Sequence, residues 1–402
     1  MTDDSRPGLR GNNLDLVRRR NLGLVLRRVH ELDGISRASL TRETGLNRST
    51  IAALVAELVQ LELVVETVPE QTNLVGRPSP VIMPTRRAVA ITVHPELDAA
   101  TICLVALGGH ILRRERFPTQ GVPTPDEVVS IAASAIAGMA AELDEKQVVG
   151  IGLAVPGLVH AGNGVVTLAP HLEWRDVPLG HALHAATGYE VFAANDASLG
   201  AIAESVRGAG VDVDHLVYLN GGASGIGGGI IMDGALLGGA SGYAGEIGHT
   251  LVNSAGVACH CGSSGCLETE VTRAPLLEAL GLASSESESL ERALVDGIAA
   301  GDGRLQALVD RQVGYLARAL ANTINTFNPR LILLGGFLGA LYAASARQLE
   351  STTRALAMIG PRDDVTIGRA TLGPGIIELG AAELAFGALI ADPARTGHAG
   401  SQ

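Results

Sequence analysis

The hydrophobic residues near the N-terminus repeat with the period of an α-helix. Five apolar positions follow the spacing i, i+3, i+4, i+7 and i+10, which places their side chains on one helical face: Leu22, Val25, Leu26, Val29 and Leu32. The dipeptide Asp33-Gly34 is typical of a turn and ends this predicted helix.

Two shorter helices are predicted to follow. Ser36 is a candidate N-cap for the stretch RASLTRET, which ends at Gly45, a residue type that adopts the left-handed conformation of a sharp turn. Asn47 is a candidate cap for the stretch RSTIAALVAELVQLEL. The inward face of this third helix is predicted to carry Ile51, Leu54, Val55, Leu58 and Leu61. Its outward face, near the N-terminal end, is predicted to carry Arg48, Ser49, Thr50 and Ala53.

Two apolar stretches, LVVETV and SPVIMP, flank PEQTNLVGR and predict a two-stranded wing with Arg77 near its tip. Together these elements predict a winged helix-turn-helix, whose third helix presents side chains to base edges in the major groove of DNA. The predicted DNA contacts are Arg37, Asn47, Arg48, Ser49, Thr50, Ala53 and Arg77. The alternative is a small helical bundle used for packing or dimerisation.

From about Ala88 the pattern changes from helical to strand-rich. Three strands, AVAITV, ATICLVAL and HILRRERF, precede the helix TPDEVVSIAASAIAGMAAEL and the strands VVGIGLAVPG and YEVFAAND. The order restarts at HLVYLNGG and GIGGGIIMDG and ends with a long helix, the strand RLILLGG and another helix. We therefore expect two similar α/β lobes, with ligands bound in the cleft at the carboxyl ends of strands. The predicted domains are a DNA-binding head with its linker, residues 1–87, and a two-lobed body, residues 88–402, with a short disordered C-terminal tail.

The distribution of charge supports this division. The chain of 402 residues has a net charge of −12, but residues 1–87 contain 13 arginines against 10 acidic residues. A basic head on an acidic body favours a polyanion as partner of the head alone, and an ordinary solvated arginine-rich surface is the alternative. No apolar run approaches the roughly 18 to 20 residues that span a membrane, and the N-terminus lacks the apolar region of a secretory signal. We expect a cytoplasmic protein with no membrane partner and with reduced cysteines.

Four potential metal ligands lie close together in the sequence of the second lobe: His249, Cys259, Cys261 and Cys266. Reduced thiols clustered in a glycine-rich loop favour a metal, and three thiolates with one imidazole match closed tetrahedral zinc sites. Four protein ligands leave no open position for water, so the Zn²⁺ is predicted to be structural. His260, between two of the cysteines, is an alternative fourth ligand. The remaining cysteine, Cys103, is predicted to be a small buried hydrophobe.

The head SRASLTRETGLNRSTIAALVAEL, followed by GRP, and the body motifs VPG, APHLEW, ND, GEIGH and CHCGSSGCLE resemble the ROK family, named for repressors, open reading frames and sugar kinases. The resemblance covers about Leu14 to Ile390, and the paired GExGH and CxCGxxGCxE motifs are highly specific. It implies an actin-like two-lobed ATPase fold, a sugar pocket in the cleft, and a zinc bound by the GExGH histidine with the three cysteines. The sugar contacts that it implies are Asn195, Asp196, Glu246, His249 and Glu268.

The same resemblance identifies a departure from the family's kinases. In those enzymes the aspartate at the position of Asp196 acts as general base. For Asp196 of this chain, the alternative is a role as N-cap of the following helix. The kinases also hold ATP phosphates in a DxGGT-like turn, whereas this chain reads VHPELDA, with His94 in place of the aspartate and Glu96 and Leu97 in place of the glycines. These side chains block close backbone approach, and the charge of Glu96 repels phosphate.

The glycine-rich stretch GGASGIGGG is the second candidate phosphate loop. Its glycines let backbone amides approach a phosphate, although such stretches also form ordinary hairpins between strands. Ala223 and Ser224 occupy the positions at which the family's kinases have a Gly-Thr-like pair. We therefore expect that ATP binding is lost and that the protein is not an enzyme.

The leading hypothesis is a sugar-responsive DNA-binding transcriptional regulator of carbohydrate metabolism, with repression as the expected sign. The expected partners are a double-stranded DNA operator and a sugar or sugar phosphate. The chain is expected to form a homodimer or a homotetramer. The alternative is an ATP-dependent sugar kinase with a DNA-binding head. A third possibility is a regulator whose pocket answers to a protein partner.

Overall fold

The computed structural model describes residues 14–67, 79–283 and 289–394. The predicted DNA contact Arg77 and the end of the predicted C-terminal tail lie outside these ranges. No helix within them is long and apolar enough to cross a membrane.

The described part of the head contains three helices and a three-stranded antiparallel sheet. The helices are α1 (Leu14–Glu31), α2 (Arg37–Thr44) and α3 (Arg48–Gln60). The strands, in the order β1-β3-β2, are β1 (Ile35–Ser36), β2 (Val64–Thr67) and β3 (Val81–Pro84). The three helices and the strands β2 and β3 follow the predicted order, and β1, between α1 and α2, is a strand that the sequence did not predict.

The predicted bounds of α2 are confirmed, whereas α3 ends at Gln60, three residues before the predicted end at Leu63. Ser36 caps α2 by accepting the backbone N–H of Ser39 at 3.1 Å, and Gly45 ends α2 in the left-handed conformation, at φ 68°. Leu32, predicted on the inward face, is 39% exposed. This prediction was wrong because α1 ends one residue earlier and the chain then reverses through Asp33, at φ 48°.

A five-stranded sheet forms the centre of the first lobe. Its strands, in the order β11-β7-β4-β5-β6, are β4 (Ala88–Pro95), β5 (Ala99–Ala106), β6 (His110–Pro118), β7 (Gln147–Val155) and β11 (Val191–Asn195). A smaller antiparallel sheet contains β8 (Leu158–His160), β9 (Val165–Ala169) and β10 (Trp174–Val177). The helices of this lobe are α4 (Pro125–Gly138), α5 (Ala140–Leu143), α6 (Leu179–Thr187) and a 3₁₀ turn, Pro170–Leu172. The long helix predicted here is interrupted at Met139, where ψ is 5°.

The second lobe repeats this topology, as the sequence predicts. Its sheet, in the order β14-β13-β12-β15-β16, contains β12 (Leu216–Gly221), β13 (Ile226–Met232), β14 (Ala235–Leu236), β15 (Leu331–Gly335) and β16 (Thr366–Arg369). In both sheets the first three strands are antiparallel and the last two run parallel to the first. The helices are α8 (Leu267–Glu270), α9 (Ala274–Leu280), α10 (Leu290–Ala299), α11 (Gly303–Phe327), α12 (Gly336–Leu356), α13 (Pro361–Asp364) and a 3₁₀ turn, Ile247–His249.

Two helices, α7 (Asp196–Arg207) and α14 (Ile376–Ala391), pack against each other between the two sheets. A Cβ atom at Gly380 of α14 would lie 2.0 Å from the carbonyl oxygen of Leu199 of α7. A Cβ atom at Gly152 of β7 would lie equally close, 2.0 Å, to the carbonyl oxygen of Ala381. Glycine at these positions therefore allows backbone to lie directly against backbone at the centre of the molecule.

The apolar core of the head continues into the first lobe. One cluster joins residues of α1 and α3, such as Leu26 and Val55, to Cys103 of β5 and Phe386 of α14. Cys103 is buried, as predicted. This core contains residues from both sides of residue 87, so the packing does not separate head from body there. The domain boundary at residue 87 stays a prediction.

The close crossing of α7 and α14 predicts different effects for two glycines of α14. We expect Gly380→Ala to destabilise the protein by about 1–3 kcal/mol, because the added methyl group meets the backbone of α7. Gly387→Ala, on the same helix, meets no atom within 4 Å and should be neutral or stabilising by up to about 1 kcal/mol. Urea and thermal unfolding measure both changes, and equal stability of the two variants would contradict the observed crossing.

Candidate functional site: the interlobe cleft and its metal-ligand group

A cavity of about 540 Å³ lies between the two lobes. Its wall is made by residues that follow the carboxyl ends of strands, including Gly157 after β7, Asp196 after β11 and Gly222 after β12. The turn between β4 and β5 and the 3₁₀ turn Ile247–His249 complete the wall. All five predicted sugar contacts line this one cavity: Asn195, Asp196, Glu246, His249 and Glu268.

Asn195 positions the start of α7. Its Oδ1 atom accepts the N–H groups of Ala197 at 2.9 Å and Ser198 at 3.3 Å, and its Nδ2 atom donates to the carbonyl oxygen of Gly157 at 3.0 Å. The N-cap of α7 is therefore Asn195, and the N-cap role considered for Asp196 was wrong by one residue.

Asp196 is the first residue of α7 and faces the cavity. Its Oδ1 atom accepts the N–H of Ala197 at 2.8 Å. Burial raises the pKa of Asp196, and the nearby charge of His94 and the backbone hydrogen bond act against this rise. His94, at the position where the family's kinases carry an aspartate, is thus an electrostatic neighbour of the kinase-base equivalent.

Three residues of the β4–β5 turn line the cavity: Glu96, Leu97 and Asp98. The N–H of Glu96 donates to the carbonyl oxygen of Ala99 at 2.8 Å and closes the turn. Arg116 of β6 donates to Glu96 Oε2 at 3.1 Å and to Asp98 Oδ1 at 2.6 Å. Thr101 also donates its hydroxyl hydrogen to Glu96. Two carboxylates, bonded to an arginine, therefore occupy this end of the cavity.

The glycines of GGASGIGGG form the hairpin between β12 and β13 and serve a packing role that the sequence did not reveal. A Cβ atom at Gly228 would lie 2.4 Å from the carbonyl oxygen of Gly245, and one at Gly225, where φ is 130°, would lie 2.5 Å from Glu268 Oε2. A Cβ atom at Gly248 would lie 1.9 Å from the carbonyl oxygen of Ile226. These glycines let the GEIGH segment lie directly on β13, which brings its polar side chains to the cavity.

The two glutamates of the second lobe differ in their surroundings. Glu246 is partly exposed to the cavity, and burial together with the charges of Asp196 and Glu268 raises its pKa. Glu268 is only 8% exposed, and its Oε1 atom lies 3.1 Å from Nδ1 of His260 and 3.5 Å from Nδ1 of His249. The cavity thus presents carboxylate acceptors at several depths, which suits a ligand rich in hydroxyl donors.

The donor atoms of the predicted metal ligands converge. One ligand atom from each lies within 4.8 Å of all the others in the group His249, Cys259, Cys261 and Cys266. Cys261 Sγ and Cys266 Sγ are 3.7 Å apart, and Cys259 Sγ is 3.6 Å from His249 Nδ1. Tetrahedral zinc, with Zn–S bonds of about 2.3 Å and Zn–N bonds of about 2.0–2.1 Å, requires separations of about 3.8 Å and 3.6 Å. These two separations and the set of donor atoms therefore fit a tetrahedral zinc ion.

Two thiols of this group, those of Cys259 and Cys266, are buried, and the thiol of Cys261 is exposed. The pKa of Cys259 is raised to about 12, chiefly by burial, and burial also raises the pKa of Cys266. Because metals bind cysteine as the thiolate, a bound cation would have to offset this cost of deprotonation. The closed set of four ligands gives such a cation a structural role.

His260 lies outside the group of three cysteines. Its Nδ1 atom is 4.0 Å from Cys259 Sγ and is directed to Glu268, and its ring meets that of His249 edge to face, at 5.1 Å between centroids. The geometry favours His249 over His260 as the fourth ligand. On the other side, the ring of His260 meets that of His171 at 5.7 Å. The sequence analysis did not single out His171 as a site residue, although it belongs to the quoted APHLEW motif.

The predicted DNA contacts of the head have unequal access to a partner. Arg48, Ser49 and Ala53 are exposed on α3, and Thr50 is half-buried beside them. The side chain of Asn47 caps α3 by accepting the N–H of Thr50 at 2.9 Å. Arg37 is held by Glu66 of β2 at 2.6 Å, and the position of Arg77 is not described.

A cleft between two lobes of repeated topology, with polar side chains at its strand ends, defines the class of actin-like ATPase folds. ROK regulators and ROK kinases are structural neighbours of this chain. This chain belongs to the ROK family, whose profile matches residues 97–387.

Two kinds of relative are similar to this chain. The xylose repressor of Caldicellulosiruptor bescii is 30% identical over 356 residues, which cover 84% of this chain and 88% of the repressor. The crystal structure of a ROK transcriptional regulator, a homologue of the E. coli MLC protein, has a TM-score of 0.74 and 27% identity, and covers 94% of this chain and 98% of its own. The glucokinase of Thermotoga maritima is 33% identical over 250 residues, which cover 59% of this chain and 78% of the enzyme.

Proposed function

We propose that this protein is a cytoplasmic DNA-binding transcriptional repressor that responds to a sugar in the interlobe cleft. The observation that carries this proposal is the convergence of Asn195, Asp196, Glu246, His249 and Glu268 on one cavity. The relatives support it, because the xylose repressor and the ROK transcriptional regulator cover 84% and 94% of this chain. A sugar acts on DNA binding only if it has different affinities for the DNA-bound and free arrangements of the protein.

The charges in the cavity favour an unphosphorylated sugar as the effector. Among the described residues that line the cavity, none is an arginine or a lysine, and five carry carboxylates: Glu96, Asp98, Asp196, Glu246 and Glu268. A phosphate group would meet repulsion from these carboxylates with no arginine or lysine on the cavity wall to offset it. The hydroxyl groups of a neutral sugar, in contrast, find acceptors throughout the cavity.

The alternative of a sugar kinase is supported by Asp196, which lies in the cavity at the kinase-base position, and by the glucokinase relative. The β4–β5 turn argues against it, because Glu96 and Asp98 stand where ATP phosphates would bind. Release of ADP from ATP in the presence of a hexose would favour the kinase.

A screen of paired sugars tests the proposed function. D-xylose, D-glucose or N-acetyl-D-glucosamine is expected to raise the melting temperature, since a ligand at 100 times its Kd stabilises the native state by about 2.7 kcal/mol. The phosphate esters of the same sugars should give no shift. Glu268→Gln should weaken binding of the active sugar at least about tenfold, because a charged hydrogen-bond acceptor is lost, and Glu278→Gln on the exposed face of α9 should not. Stronger binding of a phosphate ester than of its parent would refute the neutral effector.

We further propose that the metal is zinc and that His249 has a double role. Its Nδ1 atom faces the thiol of Cys259, whereas its Nε2 atom lies 3.8 Å from Glu246 on the cavity side. A metal bound at Nδ1 would hold the imidazole ring in place and leave Nε2 for the sugar. The metal would thereby connect the order of the cysteine loop to the shape of the pocket.

Metal analysis tests this double role. The purified protein should contain one zinc per chain, and His249→Gln should lose it, whereas His260→Gln should retain it. Removal of zinc with a chelator should weaken sugar binding and lower the melting temperature together, because the loop provides both the ligands and the pocket wall. A metal-free protein that still bound sugar with full affinity would contradict the connection.

The head is proposed to bind a pseudo-palindromic DNA site through the exposed first turn of α3. We expect Arg48→Ala to weaken binding to a duplex from upstream of the protein's own gene by about 1–3 kcal/mol. Arg304→Ala, which removes an exposed arginine from the second lobe, is the matched control and should leave the affinity unchanged. Fluorescence anisotropy at moderate salt measures both, and equal losses in the two variants would argue against α3 as the contact.

A further inference from the structure

A buried cluster of charged and polar side chains joins the head to the body. Its members are His30 of α1, Arg207 at the end of α7 and Glu383 of α14, whose side chains are 1%, 11% and 6% exposed. The cluster has no part in the sugar pocket or in the DNA contacts described above. Buried groups of this kind are retained only where hydrogen bonds compensate for the loss of water.

The hydrogen bonds of the cluster connect four elements. The N–H of Gly108, in the turn between β5 and β6, donates to His30 Nδ1 at 2.9 Å. His30 Nε2 lies 2.6 Å from Glu383 Oε2 and 2.9 Å from a terminal nitrogen of Arg207. Arg207 donates through Nε to Glu383 Oε1 at 2.8 Å and through a terminal nitrogen to the carbonyl oxygen of His30 at 3.3 Å. Every polar group at this junction thus depends on the relative positions of α1, α7 and α14.

The space around Arg207 leaves little room for adjustment. Gly109 has a φ of 81°, and a Cβ atom at this position would lie 2.3 Å from Arg207 Nε. Burial alone would raise the pKa of Glu383, but His30 and Arg207 together lower it to about 2, so the carboxylate stays charged. A tightly packed, charged junction changes by a step between discrete arrangements and does not deform gradually.

The same two body helices begin at the sugar cavity. α7 starts with Asp196 on the cavity wall and ends with Arg207 in the cluster, a span of about 18 Å at 1.5 Å per residue. α14 places Ile377 on the cavity wall and Glu383 in the cluster. The carboxylate of Glu204, a buried residue of α7, accepts the N–H of Thr371 at 2.9 Å and the N–H of Leu372 at 2.8 Å. These hydrogen bonds attach α7 to the segment that leads into α14.

We propose that His30, Arg207 and Glu383 are the positioning residues that couple the sugar cavity to the DNA-binding head. A sugar that displaces the first turn of α7 moves Arg207 at its other end, and the cluster converts this movement into a new position of α1. This inference rests on the proposed function, because it requires that both sugar and DNA bind. Coupling of this kind is reciprocal, so DNA must change the affinity for sugar by the same factor as sugar changes the affinity for DNA.

Affinity measurements on the full chain test the coupling. The probes are an upstream DNA duplex and whichever of D-xylose, D-glucose and N-acetyl-D-glucosamine binds the wild-type protein most tightly. In the wild type, the sugar should change the Kd for DNA by about 5- to 150-fold. In Glu383→Gln and in Arg207→Lys, a milder change that keeps the positive charge, this factor should fall below about twofold, while each Kd measured alone stays within about threefold of the wild-type value.

Asp33→Asn is the matched control. Asp33 also joins the head to the first lobe, through Oδ1 at 2.8 Å from Nε2 of His110, but this contact involves neither α7 nor α14. The control should keep the full effect of sugar on DNA binding. Wild-type coupling in both cluster variants, or equal loss of coupling in the control, would overturn the inference while the proposed function stands. A wild-type protein that binds DNA and sugar without mutual effect would refute the proposed function itself.

Discussion

The packing of α7 against α14 is the contact on which the pocket and the junction with the head both depend. At Gly380 the two backbones lie too close for any side chain, and at Gly152 the same is true of α14 and the first sheet. The two helices therefore form one rigid unit between the lobes. Asn195 and Asp196 lie at one end of α7 and Arg207 at the other, so the position of α7 sets the geometry of the pocket and of the head junction. Looser packing of α7 against α14 would therefore disturb the pocket and the head junction together.

Both lobes present carboxylates to the cleft. Glu96 and Asp98, bonded to Arg116, lie in the β4–β5 turn of the first lobe, and Glu246 and Glu268 offer acceptors in the second lobe. Cys259 of the potential metal-ligand group contacts Glu268, so the loop that carries these ligands also forms part of the pocket wall. Binding without phosphoryl transfer is consistent with a protein whose similar relatives include repressors that match it over most of its length.

Local features of the head and the metal group could be predicted because they depend on neighbours in sequence. The caps at Ser36 and Asn47 involve a side chain and an N–H three residues later, and the cysteines lie within one short loop. Contacts between distant residues were not visible in the sequence. Arg37, predicted to contact DNA, is bonded through its guanidinium to Glu66, 29 residues away, and its DNA contact stays a prediction. One prediction failed by a single position. The cap of α7 moved from Asp196 to Asn195, whose amide also reaches Gly157 across the sheet.

The sequence by itself determined the repeated α/β lobes, the helices of the head and the group of four potential metal ligands, since hydrophobic period, capping residues and ligand spacing are local properties of a chain. It also predicted an altered phosphate turn, because an absent glycine is visible without a structure. Only the tertiary structure decided which histidine faces the cysteines and why the glycines near Gly228 are needed. The meeting of His30 with Glu383, 353 residues later in the chain, was likewise invisible. Close packing between distant segments determines these contacts, and no local pattern encodes it.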